Sequence, residues 1–164
     1  MNKNLFDEIK IDEIISIARN AGDAILEIYN NNFAINYKSD NSPLTEADLV
    51  SNSIITTALE NYGVPILSEE GKEIKFNERS KWNYYWCIDP IDGTKEFIKK
   101  NDEFTVNIAL IHNNIPVLGV VFAPALGDIY YAKNGSGAYK NGRPISIKTN
   151  NTSTTELKVA VSSS

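Results

Sequence analysis

The stretch that most constrains the fold of this chain runs from residue 84 to residue 94. Tyr84-Tyr85-Trp86-Cys87-Ile88 is an unbroken apolar and aromatic run, which reads as a buried strand. A strand of that kind needs a sheet around it and a core against it. Its end delivers Asp89-Pro90-Ile91-Asp92-Gly93-Thr94. Two carboxylates in a tight turn at a strand end can hold a hard cation, and Mg²⁺ takes oxygen ligands in octahedral geometry. The Gly-Thr that follows can open a short helix, whose first N–H groups favour a phosphate oxygen. Asp-Pro and Asp-Gly are also ordinary turn dipeptides, so the same residues would serve as a surface turn. The strand before them, the Gly-Thr after them and the acid pair Glu69-Glu70 upstream favour the metal site.

The rest of the chain reads as α+β. Ile11, Ile14, Ile15, Ala18, Ala21, Ile25 and Ile28 recur at helical spacing and predict an amphipathic helix over residues 5–30, ended by an asparagine run. Residues 33–38 alternate as a strand, and residues 39–43 form a turn cluster. A second helix is expected over residues 45–61, with Thr45 and Asp48 spaced as a capping pair; Asp48 could serve as a cap and nothing more. Residues 64–68 read as a short strand leading into Glu69-Glu70-Gly71, and residues 72–83 as a polar loop. Residues 104–112 and 115–122 make a hairpin about Asn113-Asn114, followed by short strands at 128–132, 138–139 and 145–147. Two helices followed by a mainly antiparallel meander make an α+β architecture.

A length of 164 residues and a hydrophobic content of 42% suit a domain with a real core. The net charge of −5 argues against a general binder of nucleic-acid polymers, which would carry a basic surface. It also poses an electrostatic problem for phosphate binding, which divalent cations would solve locally. The single cysteine, Cys87, allows no internal disulfide and reads as a buried small hydrophobe. The first residues carry early acids and no signal-like apolar run, and the longest charge-free apolar stretch, residues 115–127, is short and broken by two prolines. No transmembrane segment and a cytoplasmic location are therefore expected. His112, the one histidine, sits at a hairpin turn and reads as a surface residue.

Three separated motifs, in order, carry a family likeness. They are Lys38-Ser39-Asp40-Asn41-Ser42-Pro43-Leu44-Thr45-Glu46-Ala47-Asp48, Leu67-Ser68-Glu69-Glu70, and Trp86-Cys87-Ile88-Asp89-Pro90-Ile91-Asp92-Gly93-Thr94-Lys95-Glu96-Phe97. Together with the meander from Glu103 to Leu110, they make the chain resemble the inositol monophosphatase-like superfamily of metal-dependent, lithium-sensitive phosphatases. Lys95-Glu96-Phe97 places the likeness nearest the 3′(2′),5′-bisphosphate nucleotidases of the CysQ type, whereas inositol monophosphatases more often carry Thr-Asn-Phe there.

The resemblance implies the N-terminal half of a layered αβαβα sugar-phosphatase fold, with two long helices packed on the sheet. It implies two or more Mg²⁺ ions, the first held by Glu69, Asp89 and the Ile91 carbonyl, with Asp89 bridging to a second bound by Asp92. Glu69 and Thr94 would orient and deprotonate the attacking water, with Asp48 and Thr45 as the supporting pair. Gly93, Thr94 and Lys95 would receive the phosphate. Lys99 and Lys100 could help hold a second phosphate or form a solvated face, Lys38 is a weak phosphate candidate, and Glu70 reads as a solvated or supporting neighbour. The implied substrate is a small phosphorylated nucleotide, adenosine 3′,5′-bisphosphate, converted to AMP and phosphate in sulfur assimilation. An inositol or other sugar phosphatase and a non-catalytic fragment binding metal or a partner are the alternatives.

The chain departs from the family in length. Residues 1–150 are expected to form the metal- and phosphate-binding domain. Residues 151–164 would be a linker and the first strand, over 156–161, of a C-terminal α/β unit whose Asp completes the second metal site. The expectation is therefore a poor catalyst that self-associates through an unpaired strand.

Overall fold

The computed structural model describes residues 5–38 and 43–147. Two helices do most of the packing, α2 (Ile11–Tyr29) and α3 (Glu46–Leu59). They lie against each other and against one face of a seven-stranded sheet. The sheet comprises β3 (Ile66–Ser68), β4 (Tyr84–Asp92), β5 (Thr105–His112), β6 (Ile115–Ala123), β7 (Asp128–Lys133), β8 (Gly137–Lys140) and β9 (Arg143–Ile145), in that spatial order. Only β3 and β4 are parallel; every later neighbour is antiparallel. The expected α+β class is borne out.

The helical periodicity has a clear physical basis. Ile14, Ala18, Ala21, Gly22, Ile25 and Tyr29 fall on one side of α2 and are all buried. Each fully buried Ile side chain contributes about 1.5–3 kcal/mol of transfer free energy. Gly22 lets α2 lie close to the sheet: a Cβ there would stand 2.4 Å from the Phe122 ring. The expected single helix over residues 5–30 is in fact two, since α1 (Leu5–Glu8) ends before Ile9 and Lys10. Ile9 turns into the core, only 1% exposed, which a continuous helix would not allow it to do.

A second departure lies before α3. Residue 43 was expected in a turn cluster, but β2 (Pro43–Thr45) pairs antiparallel with β1 (Ile35–Tyr37). Thr45 ends that strand and caps α3, and the expected capping box with Asp48 is present. The loop expected over residues 72–83 holds a one-turn helix, α4 (Phe76–Arg79), and Trp82 packs its ring near Tyr85. The hairpin at Asn113-Asn114 forms as expected, both residues adopting positive φ as a two-residue turn requires.

The helices α2 and α3 pack on the face of the sheet that buries Trp86 and Ile88, and the opposite face carries the side chains between them. Cys87 lies there and is exposed, which corrects the expectation of a buried thiol. Strand alternation sets this: Trp86 and Ile88 point to the helices and are buried, so Cys87 must point the other way. The expected linker and strand over residues 150–161, the self-association built on them, and the turn at residues 39–42 lie outside the described residues. No helix of the described residues is long and apolar enough to cross a membrane.

Candidate active site

In a regular strand, residues three apart point to opposite faces. Asp89 and Asp92 should therefore diverge, yet they do not. Asp89 pairs with Asn107 of β5 and Asp92 with Thr105, so two residues of β4, Pro90 and Ile91, oppose Val106 alone. This is a β-bulge, which re-aims the side chains beyond it. Pro90 and Ile91 both turn into the core, and Asp92 returns to the face that carries Asp89. The bulge thus converts an Asp-x-x-Asp spacing into two carboxylates on one side of the sheet.

Glu69 joins them through β3. The parallel register sets Ser68 beside Ile88, and the Glu69 N–H donates to the Ile88 carbonyl at 3.2 Å. Glu69 and Asp89 share the lining of a cleft of about 570 Å³ over the open face, with Leu67, Cys87, Asn107 and Val121. Burial, then the neighbouring Glu69 carboxylate and then Asp92, push the Asp89 carboxyl up to about 7. Asp89 Oδ1 is buried with no hydrogen-bond partner among the described residues, and an ionised Glu69 offers it no donor. An uncompensated buried carboxylate oxygen is costly. The donor set is all oxygen and net anionic, which fits a hard divalent cation.

Two further contacts engage these acids. Lys38 Nζ approaches Glu69 Oε1 at 3.4 Å, and Asn107 Nδ2 donates to Asp92 Oδ2 at 3.1 Å. In this arrangement no three acidic, His or Cys side chains of the described residues converge on one point. Lys38 also pairs with Glu70 Oε1 at 2.6 Å. Glu70 is not solvated: its side chain is 6% exposed. Its carboxyl is pushed up by burial, against the pull of Lys38. Burial works against the Lys38 charge, but Glu70 and Glu69 outweigh it and raise its pKa.

The turn after Asp92 leads into α5 (Thr94–Lys99). Gly93 is its N-cap at φ 98°, and a Cβ there would stand 2.7 Å from the Glu103 carbonyl oxygen. Both the conformation and the crowding require glycine. Thr94 Oγ1 donates to Asp48 Oδ1 at 3.1 Å and lies 3.3 Å from the Ile91 carbonyl. Asp48 Oδ2 accepts from the Thr45 N–H at 2.7 Å and from the Thr45 hydroxyl at 2.6 Å. Thr45 and Asp48 are fully buried. Glu69, Asp89 and Asp92 thus share one side of the sheet, and Asp48 links Thr94 to Thr45. Lys95 is exposed beside them at the start of α5.

The other lysines separate. Lys99 pairs with Glu96 at 3.6 Å. Lys100 turns away: its ammonium donates to the Tyr29 carbonyl and lies over the rings of Tyr29 and Phe33. His112 stacks on Tyr84, opposite the start of β4 and therefore at the far end from Asp92. Three neighbours of the site were missed from sequence: Asn107, Ser51 and Asn52. Asn107 was hidden inside an alternating strand, but Ser51 and Asn52 had a readable signal, since they follow Asp48 at three and four residues on one helix face.

The profile of the inositol monophosphatase family matches residues 8–164. The 3′(2′),5′-bisphosphate nucleotidase CysQ of Salmonella typhimurium is 47% identical over 129 residues, covering 76% of this chain and 52% of that protein. The protein of that name from Buchnera aphidicola subsp. Acyrthosiphon pisum is 42% identical, covering 96% of this chain and 63% of its own length. Among solved structures, CysQ from Bacteroides thetaiotaomicron superposes with a TM-score of 0.71 at 42% identity, covering 87% of this chain and 52% of that one. The Thermotoga maritima IMPase gives 0.74 at 31% identity, over 85% and 54%. The chain spans about half the length of the curated relatives it matches.

Proposed function

The chain belongs to the inositol monophosphatase family, and on that premise we propose that its carboxylate site serves Mg²⁺-dependent hydrolysis of a phosphomonoester. The proposed substrate is a 3′(2′),5′-bisphosphate nucleotide: water adds to phosphorus, the P–O bond to the ribose oxygen breaks, and that oxygen takes a proton to leave AMP. The observation that carries the reading is the bulge in β4, which sets Asp89 and Asp92 on one face beside Glu69. The nucleotide is supported by Lys95-Glu96-Phe97 and by the names of the relatives at 42–47% identity.

We assign Glu69, Asp89, Asp92 and the Ile91 carbonyl as the groups that would hold two or more Mg²⁺ ions. Bound there, the cations would supply positive charge to the attacking and leaving oxygens. The residues of the chain do the rest. Asp48 holds the Thr94 hydroxyl by accepting its proton in a hydrogen bond, so Thr94 keeps lone pairs to orient a water. We assign Glu69, half exposed at the cleft, as the base that takes the proton of that water. The first N–H groups of α5, at Gly93, Thr94 and Lys95, lack partners within the helix and suit a phosphate oxygen. Lithium competing with Mg²⁺ at the Asp92 side and a cytoplasmic location belong to the same proposal.

The test is phosphate release with Mg²⁺ from adenosine 3′,5′-bisphosphate and from inositol 1-phosphate, on this chain and on the chain extended to the length of its relatives. A kcat/KM favouring the nucleotide supports the reading. A clear preference for inositol 1-phosphate overturns the substrate and keeps the chemistry. No Mg²⁺-dependent release from either, in the extended form, overturns both.

A further inference from the structure

Asp48, Ser51 and Asn52 occupy one face of α3 at the spacing of adjacent helical turns. Each bonds a different segment of the site. Asp48 holds Thr94, at the start of α5. Ser51 Oγ donates to the Pro90 carbonyl at 2.9 Å. Asn52 Oδ1 accepts from Ser68 Oγ at 2.6 Å. Ser68 immediately precedes Glu69, and its Oγ also accepts the Glu70 N–H at 3.2 Å. Pro90 stands between Asp89 and Ile91. The same helix face then turns apolar at Ile55 and Leu59, which fill the core.

Neither residue suits its place on local grounds. Ser and Asn are indifferent helix formers, because their side chains compete for nearby backbone. Ser51 is fully buried. Its partner explains it. The bulge leaves Pro90 and Ile91 without partners in the β4–β5 ladder, so the Pro90 carbonyl needs a donor where water is excluded. Ser51 supplies that donor across 39 positions of chain.

We propose that Ser51 and Asn52 are positioning residues for the carboxylate site. By tying the ends of β3 and β4 to one helix, they fix the separation of Glu69 from Asp89. The inference rests on the reading of those acids as cation ligands. Groups that orient ligands without touching the ion are commonly worth about 10–100-fold in metal affinity.

Mn²⁺ titration followed by electron paramagnetic resonance tests this on the whole chain, with thermal melts of each variant alongside. Ser51→Ala and Asn52→Ala should each lose about 10-fold in Mn²⁺ affinity. Asn52→Asp, which keeps an acceptor for Ser68, should retain the Ser68 tether and bind at least as well as the wild type. Ile55→Val takes stability from the same helix but breaks no hydrogen bond, so it should bind as the wild type does. Should Ser51→Ala fail to fold, Asn52→Ala, at a partly exposed position, still tests the tether to Ser68. Wild-type affinity in the alanine variants, or an equal loss in Ile55→Val, overturns the positioning role. Unchanged affinity in Asp89→Asn overturns the cation site itself, a separate failure.

Discussion

Thr94 and Asp48, 46 positions apart, meet through a hydrogen bond of 3.1 Å that joins the first residue of α5 to the first turn of α3. The other oxygen of the same carboxylate closes the cap on Thr45. One buried side chain therefore starts a helix and holds a candidate catalytic hydroxyl. The two roles can be separated by substitution.

Asp48→Ala should cost about 2–3 kcal/mol, because it removes a cap and leaves buried donors unpaired. Asp48→Asn keeps an oxygen for Thr45 but turns an amide N–H₂ towards the Thr94 hydroxyl. It should cost about 1 kcal/mol or less, as the cap survives. Phosphate release should nevertheless fall by about 10²-fold or more, the scale of a proton-handling group. Denaturant titration and steady-state phosphate release check the pair. Full activity in Asp48→Asn would leave Asp48 as a cap alone.

Asp89→Asn removes the charge that burial, Glu69 and Asp92 all resist. Without metal the variant should be at least as stable as the wild type. With Mg²⁺ the order should reverse: a cation at 100 times its Kd stabilises the wild type by about 2.7 kcal/mol, and the variant by nothing. Melting temperatures with and without Mg²⁺ decide it. An equal Mg²⁺-induced rise in both proteins would place the cation elsewhere.

Much of this was legible because it is local. The spacing of Ile14, Ala18, Ala21 and Ile25 names one side of α2 without reference to anything else, and Thr45 with Asp48 names the start of α3. What failed depended on distant chain. No proline or glycine marks the break at Ile9, which follows from its place in the core. The exposure of Cys87 depends on which face the helices cover. The bulge that unites Asp89 and Asp92 exists only in register with β5, so their spacing alone implied opposite faces. The strand-end motif Asp89-Pro90-Ile91-Asp92-Gly93-Thr94 and then the resemblance, not the periodicity, put them in one site.

Gly22→Ala pits two effects against each other. Alanine gains about 1 kcal/mol over glycine inside a helix. Here its Cβ would lie 2.4 Å from Phe122 Cε1 and 3.1 Å from Pro124 Cγ. Phe122 is itself buried, so its ring can yield only by disturbing β6. Overpacking of this kind costs about 1–3 kcal/mol. The crowding should win, with a net loss of about 1 kcal/mol. Urea denaturation measures it, and a more stable variant would mean that the Phe122 ring swings aside freely.

The contact between Tyr62 and Glu13 predicts an alkaline weakness. Tyr62 Oη donates to Glu13 Oε2 at 2.7 Å, tying the turn after α3 to the first turn of α2. Burial, then the hydrogen bond and charge of Glu13, push the Tyr62 phenol from 10.0 up to about 12. The folded state therefore holds this proton more tightly than the unfolded state. Its contribution to stability is complete below the unfolded value of 10.0 and is lost as pH rises towards the folded value of about 12. Tyr62→Phe keeps the ring against Trp86, 5.5 Å away between centroids, but has no proton to lose. The wild type should be the more stable protein at neutral pH, and its advantage should shrink steadily through that alkaline window. Other tyrosines titrate in both proteins, so their effect cancels in the difference. Denaturation midpoints of the two proteins at a series of pH values measure the gap. Parallel curves across that range would mean that the Tyr62 proton is no better held in the fold than out of it.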